Sequence, residues 1–276
     1  MYAFLVLTDF SAAAAAAARM AIQLAARWPA EVVFGHVLQL PVDWESLPEA
    51  RRRELGELDR QVACARAQLD RLVAQARDAG VQAGQALRFN TALTELLELR
   101  KQPFDLLVMG TAGKRGFRQV FSGSHAQRML RRALPPVLVV KEAAEVPQLT
   151  RILFATDLET ESRGSLRPLL QFAKRLEVPE LGLTRINTPY NFRASIELEE
   201  AFRHYTDGAA FEGLQWLPYC AYQVEEGIAE LARSWKADLV AVSTHARADL
   251  ADWFLDSIPV SLAHTLPMPL LSFRTS

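Results

Sequence analysis

An apolar run ending in Thr-Asp occurs twice in this chain, as Leu5-Val6-Leu7-Thr8-Asp9 and as Leu153-Phe154-Ala155-Thr156-Asp157, 148 residues apart. A short apolar run closed by a polar turn is the pattern of a parallel strand buried on both faces. Its recurrence at that distance makes the chain two copies of one unit. With 276 residues, half of them apolar, the chain can bury two substantial cores. The stretch from Met1 to Trp28 is apolar and alanine-rich, but it lacks a basic first segment and Asp9 interrupts it. The same pattern returns at Arg151 to Leu158, where no leader peptide stands, so Met1 to Thr8 reads as a strand. Ser11 is placed to cap a helix that begins with the alanines Ala12 to Ala18. No stretch is long enough and free enough of charge to span a membrane.

A second feature carries chemistry. Gly110-x2-Gly113-x9-Gly123-Ser124 runs from an apolar strand, Phe104 to Met109, into the start of a helix. A polyphosphate must approach backbone N–H groups closely, and glycine leaves room for that and for positive φ. The unpaired N–H groups of a helix start, with its dipole, favour an anion, and the Ser124 hydroxyl adds a further ligand. The spacing is neither a Walker loop nor a dinucleotide fingerprint. Taken alone, it fits both a phosphate cradle and a loop whose glycines, Gly116 included, serve turns. Asp9 is the second element. At the carboxyl end of the first strand it faces the crevice in which open α/β sheets bind ligands, together with a Gly110 loop at the end of another strand.

These residues resemble the universal stress proteins, in particular members with two tandem copies. Leu5-Val6-Leu7-Thr8-Asp9-Phe10-Ser11 is similar to the family's opening strand and turn, Asp105 to Gly110 to its fourth strand, and Pro135 to Lys141 to its closing strand. The glycine spacing fits the ATP-binding subgroup. The resemblance implies an α/β fold: two tandem open five-stranded parallel sheets flanked by helices, of the adenine nucleotide alpha hydrolase-like type. It further implies ATP as ligand, with Mg2+ held through its phosphates. Adenine and ribose would lie near Asp9 and Val37, with the phosphates on Gly110, Gly113, Gly123 and Ser124. Thr8, Met109, Ala112 and His125 complete the implied lining. Ala112 stands where many members carry a histidine, and His125 follows Ser124 in the first helical turn, either reaching a phosphate or lying on the helix surface. Such proteins act as nucleotide-responsive stress factors with at most slow ATP hydrolysis. The other readings are an ATPase and a scaffold that acts through a protein partner or another small ligand in the second domain.

Domains are expected at 1–145 and 148–276, with Val146-Pro147-Gln148-Leu149-Thr150 as a short junction that keeps the copies packed together. Gly110 pairs with Ser243 at an offset of 133, so the second copy is fifteen residues shorter, a loss placed between its second and third strands. That interval holds a charged helical pattern, Glu49 to Ala79, in the first copy and a shorter one, about Ile196 to Ala210, in the second. Under the same offset Gly113 becomes Ala246 and Gly123 becomes Asp256, while Ser257 matches Ser124. Asp256 would cap a helix and repel a polyphosphate. The second copy is therefore expected to be structural or regulatory, with Asp157 and Thr244 leaving room for a different small ligand.

Net charge is −1, with no global attraction to nucleic acid or anionic lipid. The first 147 residues carry 19 Lys/Arg against 15 Asp/Glu, and the remainder 12 against 17. Lys114, Arg115 and Arg118 lie in the glycine loop as solvated charges or as phosphate screens. Cys64 and Cys220 form no pair motif, which suits a reducing cytoplasm, and the five histidines show no metal spacing. The aromatic residues of the second copy, Trp216, Trp235, Trp253, Phe192, Phe202, Phe211, Tyr205, Tyr219 and Tyr222, are expected to be mostly core, with a minority lining a pocket or a partner contact. Family members pair through their closing strands, here Val137 to Val140 and Leu270 to Phe273, within the chain or as a homodimer.

Overall fold

The computed structural model describes residues 2–91, 94–111, 135–141, 148–245 and 258–275. The chain divides into two compact units, Met1–Pro135 and Pro136–Ser276.

In the first unit, strand β1 (Tyr2–Leu7) is followed by helix α1 (Ala12–Arg27) and strand β2 (Ala30–Leu38). Helices α2 (Glu49–Glu54) and α3 (Gly56–Asp78) lead to β3 (Ala83–Phe89). The four-residue helix α4 (Thr94–Leu97) then precedes β4 (Leu106–Thr111). The strands run parallel in the order β3-β2-β1-β4. With neighbours on both edges, β1 is buried from Ala3 onward, and Ala3, Phe4, Leu5 and Val6 expose none of their surface. That explains an apolar run without alternation. The alanines of α1 let it lie close against the sheet, with Ala13, Ala16 and Ala17 buried. Ser11 caps the helix as expected, its hydroxyl accepting from Ala14 N at 3.2 Å. The Glu49 to Ala79 pattern forms two helices instead of one. The break falls at Leu55, which is 36% exposed, beside Gly56, a residue that weakens helix continuity.

The second unit contains β5 (Val137–Lys141), β6 (Arg151–Ala155), a 3-10 turn (Thr160–Ser165), α5 (Leu166–Arg175), β7 (Glu180–Thr184) and β8 (Ile186–Asn187). It continues through α6 (Ser195–Tyr205), β9 (Leu214–Trp216), β10 (Tyr219–Cys220), α7 (Val224–Ser234), β11 (Leu239–His245), α8 (Ile258–Thr265) and β12 (Leu270–Thr275). Strands β12-β11-β6-β7-β9 are parallel. β5 joins their edge antiparallel to β12, pairing Leu138 with Leu271. The two closing strands therefore pair with each other, and β5, which the sequence places with the first copy, groups with the second unit. β8 and β10 form a separate two-stranded ribbon.

Among the described residues, the aromatics singled out in the second copy are not mostly core, and Trp253 lies outside the described residues. Tyr205 is buried, but Trp216, Trp235, Phe202, Phe211 and Tyr219 are half-buried, and Phe192 and Tyr222 are 72% and 83% exposed. The reason is position: Trp216 lies on the edge strand β9, where it stacks on Phe202 at 4.9 Å, and Phe192 and Tyr222 lie in loops.

Candidate functional site

The first unit gathers its polar groups where β1 ends. Thr8 N donates to the Gly35 carbonyl at 3.0 Å, the last rung between β1 and β2. The backbone then turns through Phe10 at φ +62°, a left-handed conformation uncommon for a bulky residue. Two side chains hold the turn: Thr8 Oγ1 accepts from Phe10 N at 3.0 Å, and Asp9 Oδ1 accepts from Ser11 N at 3.0 Å. Asp9 is exposed, and its Oδ2 has no hydrogen-bond partner among the described residues.

His36, on β2, closes the other side. Its Nδ1 donates to the Thr8 carbonyl at 2.7 Å, and its ring lies 4.5 Å from that of Phe10. Burial pushes the imidazole below its ordinary 6.5, against the opposing pull of the Thr8 bond and the Asp9 charge. The neutral ring therefore keeps Nδ1–H on Thr8 and Nε2 as an acceptor.

Val37 follows. Along β2 the peptide groups alternate sides: Leu38 C=O accepts from Asn90 N and Val32 N donates to Gln82 O, toward β3, whereas Gly35 C=O faces β1. Val37 shares the parity of Gly35, so its N–H and C=O face the β1 side, beyond the last β1 residue. Met109, opposite Leu7 on β4, is 1% exposed, and Gly110 follows it. A Cβ on Gly110 would enter the backbone of Ala13 and lie 2.5 Å from Ala14 N. Thr8, Asp9, Val37, Met109 and Gly110 thus sit at the carboxyl ends of three adjacent parallel strands. Ala112, Gly113, Gly116, Gly123, Ser124 and His125 lie outside the described residues, as do Ala246, Asp256 and Ser257. His36 and Phe10 belong to this site although the sequence did not single them out for it. The available signal was that His36 immediately precedes Val37 at the end of a strand. No group of three or more His, Cys, Asp or Glu able to hold a metal ion occurs among the described residues.

The same turn recurs in the second unit. Thr156 N donates to Thr184 O at 3.0 Å, Leu158 has φ +65°, Thr156 Oγ1 accepts from Leu158 N at 3.3 Å, and Asp157 Oδ1 accepts from Glu159 N at 3.0 Å. What surrounds it differs. The Tyr205 hydroxyl lies 3.3 Å from Thr156 Oγ1 and donates to the Ser162 carbonyl at 2.8 Å, while Ser243 Oγ lies 3.4 Å from Thr156 Oγ1. Burial pushes the Tyr205 phenol up. A buried tyrosine therefore fills space beside the strand ends here.

The family model for the universal stress protein family matches residues 1–141, the stretch that contains the Asp9 turn and the Gly110 strand end. This chain belongs to the universal stress protein family. A curated universal stress protein of Methanocaldococcus jannaschii is 32% identical over 144 residues, covering 49% of this chain and 79% of the relative. The crystal structure of a universal stress protein from Archaeoglobus fulgidus superposes with a TM-score of 0.69 at 14% identity, covering 99% of this chain and 96% of that one. A functionally unknown protein of Pseudomonas aeruginosa gives 0.62 at 16% identity, covering 100% and 93%. At these identities the structural likeness speaks to fold, and the α/β architecture of universal stress proteins is the fold of this chain. No helix among the described residues is long and apolar enough to cross a membrane.

Proposed function

We propose that the first unit of this universal stress protein binds an adenine nucleotide, ATP with Mg2+, and works as a nucleotide-responsive binding module. The observation that carries this reading is Val37, whose N–H and C=O both face the gap past the end of β1. A donor and an acceptor on the same side of one extended residue match the edge of a purine. Asp9 stands at the mouth of that gap with an open carboxylate oxygen suited to a ribose hydroxyl or an amino group. The phosphates would be held by Gly110, Gly113, Gly123 and Ser124, with Mg2+ carried by the phosphates to neutralise their charge. The Ala13 contact explains why Gly110 is glycine without any ligand, so the phosphate end of the reading rests on the loop sequence. The chain supplies no general base beside the phosphates in this reading, so hydrolysis would rest on positioning and electrostatics alone and be slow at most.

Isothermal titration of the purified chain with ATP and Mg2+, beside extraction of carried-over nucleotide, tests this. One ATP per chain is expected, weakened about tenfold in Asp9→Ala by loss of a charged hydrogen bond and abolished in Gly123→Asp. A protein that neither binds ATP nor carries nucleotide through purification would overturn the reading and leave a scaffold acting through a partner.

A further inference from the structure

Arg185 stands between β7 and β8 in the second unit, at the place His36 holds in the first, and is 7% exposed. Its guanidinium donates to Asn187 Oδ1 at 3.2 Å and to the Asn191 carbonyl at 2.9 Å, both neutral acceptors. Among the described residues no carboxylate lies within ion-pair reach of it. A buried guanidinium usually has an anionic partner, because desolvating an unpaired charge is costly. Burial and the positive charge of Arg193 disfavour the Arg185 guanidinium, and the carboxylates of Glu159 and Asp157 offset this only in part. The loop that brings Arg193 there is firmly tied: Asn187 Oδ1 accepts from Arg193 N at 2.9 Å, Asn187 Nδ2 donates to Arg193 O at 3.0 Å, and Asn191 Oδ1 accepts from Thr188 N and Oγ1. Asn187 thus fixes both arginines against their mutual repulsion. The Glu159 carboxylate pairs with the Arg193 guanidinium from the turn after β6.

We propose that Arg185 and Arg193 form a binding site for a small oxyanion, a carboxylate or a phosphate group, at the carboxyl ends of β6 and β7, and that Glu159 occupies Arg193 as a displaceable internal substitute. Guanidinium groups recognise planar and tetrahedral oxyanions through paired N–H donors. A carboxylate already on Arg193 marks where the ligand's oxygens go. The site does not depend on nucleotide binding in the first unit.

Calorimetric titration of the full chain with inorganic phosphate, and separately with succinate, tests the proposal. A saturable site for at least one anion is expected. It should weaken about tenfold or more in Arg193→Gln, tighten in Glu159→Gln, and persist in Gly123→Asp, where the first unit's loop is disabled. Phosphate alone would identify a phosphate ester as the ligand class, and succinate alone a carboxylate. Arg193 and Glu159 are partly exposed, so these variants should keep the fold, checked by circular dichroism. Arg185→Lys gives an independent reading, since it keeps the charge and loses the fork. The proposal fails if neither anion binds wild type or Glu159→Gln at millimolar concentration. It also fails if the affinity is unchanged in Arg193→Gln, or if binding vanishes in Gly123→Asp.

Discussion

Replacing Gly110 by alanine forces a methyl group into the Ala13 backbone, so either β4 or the start of α1 must move. Overpacking of this kind costs about 1–3 kcal/mol. Gly110→Ala should therefore lower stability by at least that much in urea unfolding without ligand, whereas Gly56→Ala, which meets nothing within 4 Å at a helix start, should be neutral or stabilising. Equal, small effects would mean that α1 does not lie against β4 as described. The comparison also shows how far one residue can be read from sequence. Gly110 reads as a phosphate contact because close approach demands glycine, but the structure supplies a closer neighbour, the helix backbone. His36 gives a second residue-scale test. Its folded-state pKa lies below 6.5, so as pH falls the unfolded chain takes up the proton first, and stability is lost below about pH 6.5. The opposing Asp9 charge limits the shift without reversing it. Wild type should lose melting temperature relative to His36→Gln between pH 7 and pH 5, and a constant difference across that range would show that the ring is not shielded.

Between neighbouring elements, an aspartate before a strand acts as a clamp, and it occurs in both units. Asp105 Oδ2 accepts from Ala3 N at 2.8 Å, joining the start of β4 to that of β1. Asp238, 133 positions later, accepts on one oxygen from Thr150 N and Oγ1 at 2.7 Å and from Arg151 N at 2.9 Å, joining β11 to β6. Three hydrogen bonds to one carboxylate, partly solvated, are worth about 2 kcal/mol after discounting for exposure. Asp238→Ala should cost about that, and Asp105→Ala distinctly less, by denaturant midpoint. Equal losses would mean that the extra bonds at Thr150 contribute nothing. The strands these clamps join were legible as apolar runs, and the Ser11 cap as a hydroxyl before alanines, because periodicity and capping are local signals. A lone acidic residue before a strand has no period, and so Asp105 and Asp238 could not be read as structural. Nor could the Leu55 break in the long helical pattern, where Gly56 competes with charged neighbours that all favour helix. The recurring Thr-Asp turn was visible as sequence, but its positive φ at Phe10 and Leu158 was not, because neither residue type announces it.

For the chain as a whole, the division between units is where sequence pattern and contacts part. The sequence assigns Val137 to Lys141 to the first copy by its place in the repeat, since a closing strand normally follows its own helix. In the structure that strand lies on β12, pairing Leu270 with Val139, Leu271 with Leu138 and Ser272 with Val137, and the boundary falls between Pro135 and Pro136. The pairing itself was expected from the family resemblance, which matches Val137 to Val140 with Leu270 to Phe273; no local pattern in the residues encodes it, because which edges meet is decided in three dimensions. An uncovered β12 would present a row of unpaired N–H and C=O groups and the apolar faces of Leu271 and Phe273. Leu138 and Val140 on β5 expose none of their surface, and burying two such side chains corresponds to about 3 kcal/mol or more. A fragment comprising residues 136–276 should therefore unfold at a clearly higher urea concentration than one comprising 148–276, and stay monomeric where the shorter piece associates through its exposed edge. Equal midpoints and equal monodispersity would show that β5 contributes nothing to the second unit, placing it with the first copy as the repeat suggests. A higher midpoint for the longer fragment would mean that the β12 edge, which would otherwise lie open, is stabilised here by the chain's own strand.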